Sequence, residues 1–178
     1  MKTLILYATK HGATEEIARR IAKYTDGTIH DLKNDNYPPL SEFECIIIGS
    51  ALYAGMIRKE AKTFIEKNAE YLKDKTFGLF LCGLETNKTD EYFKINFPAD
   101  IIKSAKATSF LGGIFDPKKA GFIGRLVMKA VAKRADYMNT IDDGKIRQFV
   151  EDLNCFNVLM ESIYEFTEDL FNDGRPPQ

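Results

Sequence analysis

Short apolar runs alternate with amphipathic segments along most of this chain. Continuous apolar runs are typical of strands buried in a parallel sheet, and they predict strands at residues 3–8, 45–49, 77–82 and 107–113. A less apolar run predicts a fifth strand at residues 27–32. Apolar residues at helical spacing predict helices at residues 14–24, 57–72, 89–104 and 142–153, the third of which should break at Pro98.

This alternation of strands and helices predicts one α/β domain over residues 1–153. Right-handed crossovers cover both faces of the sheet with helices, so the predicted architecture is a doubly wound five-stranded parallel sheet. Ligands of such sheets bind beyond the carboxyl ends of the strands, where the strand order reverses. The segments after Ala8, Gly49 and Cys82 are therefore expected to meet at one site.

The segment after the first predicted strand has the composition of a phosphate-binding loop. It reads Thr9, Lys10, His11, Gly12, Ala13, Thr14. Two hydroxyls, consecutive backbone N–H groups and the positive end of a helix dipole together favour a phosphate. A Walker loop and a dinucleotide fingerprint both need further glycines, which this loop lacks. The alternative is an ordinary strand-to-helix turn in which Thr14 caps the helix.

Two later segments have the residues that the surroundings of a flavin ring require. The first reads Ser50, Ala51, Leu52, Tyr53, Ala54, Gly55, and the second reads Cys82, Gly83, Leu84, Glu85. Tyr53 offers an aromatic wall, and the peptide between Ala54 and Gly55 offers a switchable backbone group. Gly83 permits close approach of the backbone to a planar ligand, but no second aromatic accompanies it, so one ring face is left open. The alternative places Tyr53 on the surface of a crossover without a ligand.

The pattern T-x-x-G-x-T after a first strand resembles the FMN phosphate loop of flavodoxins. Three longer segments are similar to the flavodoxin-domain family that includes menaquinone-dependent protoporphyrinogen oxidase, namely residues 1–18, 46–57 and 111–117. The resemblance covers about residues 1–153. It implies a flavodoxin-like fold, one FMN bound non-covalently, and oxidation of a porphyrinogen with electrons passed to a quinone. It also implies an insertion in the last strand, at about residues 114–138.

The predicted insertion is basic, whereas the rest of the chain is acidic. The segment from Asp116 to Asp136 carries a net charge of +4, which leaves −5 on the remainder. Its basic residues are Lys118, Lys119, Arg125, Lys129, Lys133 and Arg134. Apolar residues between them predict an amphipathic helix that binds an anionic membrane surface or guides a carboxylate-bearing tetrapyrrole. The alternative is a helix that packs on the domain with solvated charges. The segment has fewer Arg and aromatic residues at its start than the family implies.

Composition and termini limit the remaining function classes. With 25 Lys and Arg against 26 Asp and Glu, the chain has no overall charge that favours nucleic acid. The separated cysteines Cys45, Cys82 and Cys155 predict buried thiols in a reducing compartment, and no signal peptide is recognised, so we expect a cytoplasmic protein. His11 and His30 lack the spacing of metal ligands, and no hydrolase signature occurs, so neither a metal site nor a hydrolase is predicted.

The last segment of the chain, residues 154–178, predicts a C-terminal helical extension. Apolar residues step by three and four from Phe156 to Leu170, so this helix would pack on the domain or on a second subunit.

Three functions stay open: an FMN-dependent oxidoreductase, an electron-carrier flavodoxin, and a flavin-free interaction domain. Carriers of this kind tend to be strongly acidic, so a net charge of −1 favours the oxidoreductase. No side chain is assigned as a catalytic acid or base.

Overall fold

The computed structural model describes residues 1–84, 87–119 and 136–157. Along the chain the elements are β1 (Thr3–Ala8), α1 (Ala13–Thr25), β2 (Thr28–Asp31), β3 (Cys45–Tyr53), β4 (Met56–Ile57), α2 (Lys59–Lys73), β5 (Thr76–Cys82), α3 (Thr89–Asn96), α4 (Ala99–Ser104), β6 (Ala107–Phe110), β7 (Ile114–Phe115), β8 (Met138–Asn139) and α5 (Asp143–Leu153). The predicted residues that lie outside the described ranges are Glu85, Arg125, Lys129, Lys133 and Arg134. Most of the predicted C-terminal extension also lies outside them.

Five parallel strands form the central sheet in the order β2-β1-β3-β5-β6, with β4 added antiparallel to the end of β3. Alternate residues of each strand point to opposite faces. On one face Leu4 and Leu6 pack with residues of α2, α3 and α4, and on the other face Ile5 packs with residues of α1 and α5. Both faces are buried, which is why the strands are continuously apolar. The predicted α/β fold with its parallel sheet and helices on both faces is confirmed.

The strand order reverses between β1 and β3. The chain runs from β1 to β2 on one side of the sheet and then returns to place β3 on the other side of β1. The register pairs Ala8 with Ser50 and Ala51 with Cys82, so the ends of three neighbouring strands are aligned. A crevice at such a reversal is where an open α/β sheet binds its ligand.

The prediction that the strand beginning at residue 45 ends at Gly49 was wrong. β3 continues through residues 50–53, which keep pairing with β1 and β5 and then with β4. A two-residue turn follows at Ala54 and Gly55, whose φ angles are 51° and 79°. Positive φ at both central residues is the requirement of a tight hairpin of type I′. The apolar run ends early because Gly49 has no side chain, and a Cβ there would overlap the Phe80 ring.

Three other boundaries differ from their predictions by two residues or more. α2 begins at Lys59 rather than residue 57, because Ile57 pairs in β4. β6 ends at Phe110 rather than residue 113, since the chain turns at Gly112 with a φ of 83°. Residues 154–157 are not helical, because Asn154 adopts a left-handed conformation with a φ of 54° and ends α5. The predicted break at Pro98 is confirmed, since it separates α3 from α4.

The two ends of the predicted insertion lie next to each other. Ile114 pairs with Asn139 and Phe115 pairs with Met138 in the antiparallel ladder of β7 and β8. Phe115 and Met138, which flank residues 116–137, therefore lie side by side in this ladder.

Candidate functional site

The loop between β1 and α1 has the shape of an open cradle. Gly12 adopts a φ of +93°, a conformation that favours glycine, and a Cβ built there would meet no atom within 4 Å. Its N–H donates to the Thr9 hydroxyl oxygen at 3.0 Å. This hydrogen bond joins the first residue of the loop to the residue that precedes α1. That hydroxyl still has its own proton to donate. The loop therefore has open space beside the backbone of Gly12, and the Thr9 hydroxyl is available there as a donor.

The first turn of α1 has unsatisfied polar groups. Gly12 precedes the helix and no side chain caps it, so the first N–H groups of α1 have no partner within the described ranges. Thr14 lies inside the first turn rather than at the cap position, so the capping alternative is not observed. Its side chain is 0% exposed, and its hydroxyl oxygen has no hydrogen-bond partner among the described residues. An unpaired buried hydroxyl costs about 1–3 kcal/mol, so a ligand that bonds to it would be stabilised.

Ser50 lies beneath this loop and has a structural role. It pairs with Ala8, the last residue of β1, and it is buried. Its hydroxyl accepts from the Arg58 backbone N–H at 2.9 Å and donates to the Ala51 carbonyl at 3.1 Å. The first hydrogen bond ties the residue before α2 to β3, and the second orients the hydroxyl within β3.

The hairpin between β3 and β4 carries the predicted aromatic wall. Tyr53 is 56% exposed, and the ammonium of Lys10 lies 4.2 Å from its ring centroid. The phosphate-type loop and the hairpin therefore touch each other. Ala54 forms the turn that follows Tyr53, and Leu52 is half-buried and pairs with Ile57.

Asn96, which sequence reasoning missed, holds the turn in place. Its side-chain amide donates to the Gly55 carbonyl at 2.8 Å, and its carbonyl oxygen accepts from the Ile57 N–H at 2.8 Å. The same amide donates to the Tyr92 carbonyl at 2.8 Å. Asn96 is a buried polar residue in a short amphipathic helix, and that position was the only signal in the sequence.

The segment after β5 packs against the segment after β6. Gly83 donates its N–H to the Gly112 carbonyl at 3.0 Å, and a Cβ at Gly113 would lie 2.8 Å from the Gly83 oxygen. Cys82 ends β5 and is 3% exposed, and burial raises the pKa of its thiol to about 12. The Thr14 hydroxyl lies close to this thiol and lowers its pKa by a smaller amount, without forming a well-directed hydrogen bond. Leu84 is partly exposed beside Gly83.

Positive charges from the loop itself and from two other segments act on His11. Desolvation lowers the pKa of the His11 imidazole, and the nearby charges of Lys10, Arg58 and Lys119 lower it further. Arg58 was not singled out from the sequence. A basic residue at the start of a helix, where the dipole disfavours it, was the available signal. The arrangement favours an anion close to the loop.

Two other classes of site are not found in the part of the chain that the structure describes. No group of three His, Cys, Asp or Glu residues there is placed to hold a metal ion. None of the helices in those ranges combines the length and apolar character needed to cross a bilayer.

Comparison with known proteins agrees with this fold. The family model described as Flavodoxin domain matches residues 4–142, well over half of the chain. No curated protein is significantly similar to the chain in sequence. A Streptococcus pneumonia TIGR4 flavodoxin is 15% identical, with 86% of this chain and 98% of that chain covered and a TM-score of 0.50, which shows a shared fold.

Two further solved structures are similar to parts of the chain. The two-electron reduced flavodoxin of Megasphaera elsdenii is 18% identical over 61% of this chain and 84% of that chain, with a TM-score of 0.49. A flavoprotein of Lactobacillus acidophilus NCFM, solved in complex with FMN, is 19% identical over 62% of this chain and 90% of that chain, with a TM-score of 0.43.

Proposed function

Because the chain belongs to the flavodoxin domain family, we propose that it binds one FMN non-covalently and acts as a redox flavoprotein. The observation that carries this proposal is the unpaired, fully buried hydroxyl of Thr14 in the uncapped first turn of α1. A phosphate beside Gly12 would accept hydrogen bonds from this hydroxyl and from the free N–H groups of the turn. The residues present therefore fit the cofactor.

The two other segments fit the remainder of the cofactor. Tyr53 offers an exposed aromatic face next to the loop, and the turn at Ala54 and Gly55 presents backbone groups at the same edge of the sheet. Gly83 directly follows β5, the next strand of the sheet, and its backbone lies at the same edge. In this arrangement one face of the ring stays open to a reaction partner.

When bound, FMN supplies the one- or two-electron redox chemistry. The protein binds and orients it: the loop holds the phosphate, Tyr53 shields one side of the ring, and Asn96 fixes the neighbouring turn.

We infer, more specifically, an oxidoreductase similar to the quinone-linked protoporphyrinogen oxidases. The resemblance of three segments and the basic predicted insertion support this reading. Lys118 and Lys119 at the start of the insertion, together with its later basic residues, would attract an anionic substrate or a membrane surface.

An electron-carrier flavodoxin is the second candidate, because the same open ring face would serve a protein partner. The test begins with the visible absorption spectrum of the purified protein and a fluorimetric titration of the apoprotein with FMN. Bound FMN with stoichiometry of one is the expected result. Failure to bind FMN would contradict the proposal and leave a flavin-free interaction domain. A steady-state assay with protoporphyrinogen and a quinone then separates the two candidates, since turnover is expected of the oxidoreductase and not of the carrier.

A further inference from the structure

Arg58 carries a buried donor that the fold does not use. Its guanidinium Nε is buried and has no hydrogen-bond partner among the described residues. The nearest charge pair joins another guanidinium nitrogen to the Glu60 carboxylate at 3.6 Å, which is too long for a hydrogen bond. A second oxygen of Glu60 is also buried without a partner. The Nε donor is therefore desolvated without a partner, while 25% of the Arg58 side chain is exposed.

The position of Arg58 does not serve helix stability. It directly precedes α2, where the positive end of the helix dipole disfavours a cation. Its backbone N–H bonds to Ser50, and Ser50 pairs with Ala8, the residue before the cradle loop. The backbone of Arg58 is thus fixed one strand away from the loop.

The charge of Arg58 reaches the loop. It lowers the pKa of His11 together with the charges of Lys10 and Lys119, so three cations from separate elements act on one loop residue. The Lys10 ammonium lies over the Tyr53 ring, and Lys119 follows β7 in the described part of the predicted insertion. Arg58 is the cation among them with a buried, unpaired donor.

We propose that Arg58 is a phosphate-binding residue, which holds the cofactor phosphate through its guanidinium in addition to the hydroxyls and N–H groups of the loop. This inference rests on the proposed binding of FMN. A planar guanidinium matches phosphate geometry and stays charged at any physiological pH. The site would then select a phosphorylated flavin by charge, and it would bind FMN far more tightly than riboflavin.

The test compares FMN with riboflavin, which has the same ring and no phosphate. The wild-type apoprotein, Arg58→Gln, Arg58→Lys and the control Arg147→Gln, an equal loss of charge on α5, are titrated by fluorescence at several salt concentrations. Arg58→Gln should weaken FMN binding about tenfold or more, change riboflavin binding less than twofold, and reduce the salt dependence of FMN binding. Arg58→Lys should give an intermediate loss, and Arg147→Gln should match wild type.

Riboflavin also reports on folding, since a damaged domain would lose both flavins together. Equal losses of FMN and riboflavin in Arg58→Gln, or no loss of either, would overturn the inference. If wild type binds neither flavin, the proposed function fails separately, and calorimetric titration with inorganic phosphate decides the role of Arg58. Phosphate binding that Arg58→Gln abolishes would support an anion site, whereas absence of phosphate binding by wild type would overturn it.

Discussion

The ammonium nitrogen of Lys10 lies 4.2 Å from the centroid of the Tyr53 ring. The contact joins the loop after β1 to the hairpin after β3, the two segments proposed to hold opposite ends of the cofactor. A cation over an exposed aromatic ring contributes about 0.5–1 kcal/mol. A flavin ring must therefore use the other face of Tyr53 or displace the lysine. This arrangement makes Tyr53 the first residue to test.

Tyr53→Ala should weaken FMN binding by about 0.5–1.5 kcal/mol, the size of an aromatic stacking contribution. It should also raise the fluorescence of bound FMN, because a phenol beside the ring quenches it. Tyr53→Phe keeps the aromatic face and should retain most of the affinity. Both quantities come from one fluorescence titration. Wild-type affinity and fluorescence in Tyr53→Ala would place the ring elsewhere.

Thr14→Val should have opposite effects on binding and on stability. The substitution removes a hydroxyl donor to a charged phosphate, so FMN affinity should fall about tenfold or more. In the apoprotein it replaces an unpaired buried hydroxyl by a methyl group, so the free energy of unfolding should stay equal or rise by about 1 kcal/mol.

Urea denaturation of the apoprotein and FMN titration measure the two effects of Thr14→Val separately. Thr14→Ser retains the hydroxyl and serves as the control, which should bind FMN nearly as well as wild type. Unchanged FMN affinity in Thr14→Val would refute the assignment of the loop as the phosphate site.

The sequence predicted the sheet and the loop better than it predicted the hairpin, for physical reasons. Strands buried on both faces must be apolar throughout, so they are recognisable in the sequence. The turn between β1 and α1 is determined by its own few residues, including one glycine, so it is recognisable as well. The hairpin depends on contacts between distant segments. Position 49 is a glycine because the Phe80 ring fills the space that a side chain would occupy. The predicted strand was therefore ended there, four residues before the end of β3.

The residues that sequence reasoning missed are defined by tertiary contacts. Asn96 looks like an ordinary polar position of an amphipathic helix, yet its amide bonds to a carbonyl 41 residues away. Arg58 looks like a solvated basic residue, and only the structure shows that its Nε is buried without a partner. Neither property leaves a local pattern in the chain.

Asn96→Ala should destabilise the apoprotein by about 1–3 kcal/mol, because it leaves buried backbone groups of the hairpin without partners. It should also weaken FMN binding, since the turn at Gly55 loses its fixed position. Asn96→Asp keeps the oxygen that accepts from the Ile57 N–H and loses the amide donor to Gly55. Chemical denaturation and FMN titration of both variants measure these effects, and wild-type values for Asn96→Ala would show that the turn is held by other contacts.

Cys82 should not react with iodoacetamide in the native protein at pH 8. Burial raises its thiol pKa to about 12, so the reactive thiolate is nearly absent at that pH, and the side chain is 3% exposed. Alkylation should become rapid in denaturant, where the pKa returns toward its ordinary value and the thiol is accessible. Mass spectrometry of the peptide that contains Cys82 follows the reaction. Fast labelling of the folded protein would instead indicate a reactive thiol at the end of β5.

Reversal of charge in the predicted insertion should separate substrate capture from flavin binding. Lys129 and Lys133 both lie in a segment of net charge +4, on a chain whose remainder is −5, and such segregation suits an anionic partner. Lys129→Glu combined with Lys133→Glu should leave the FMN content intact. It should weaken turnover of porphyrinogen or binding to anionic vesicles, with the largest loss at low salt, where charges are least screened.

The matched control for this reversal carries Lys67→Glu and Lys103→Glu, an equal change of charge at two exposed positions on α2 and α4. This control should behave like wild type in both assays, because a change in overall charge alone acts weakly through screened solvent. If the two double variants lose turnover or vesicle binding equally, the effect is caused by the net charge of the protein and not by the insertion. Full activity of the insertion variant at low salt would show that its lysines are solvated, and the electron-carrier candidate would then be favoured over the oxidoreductase.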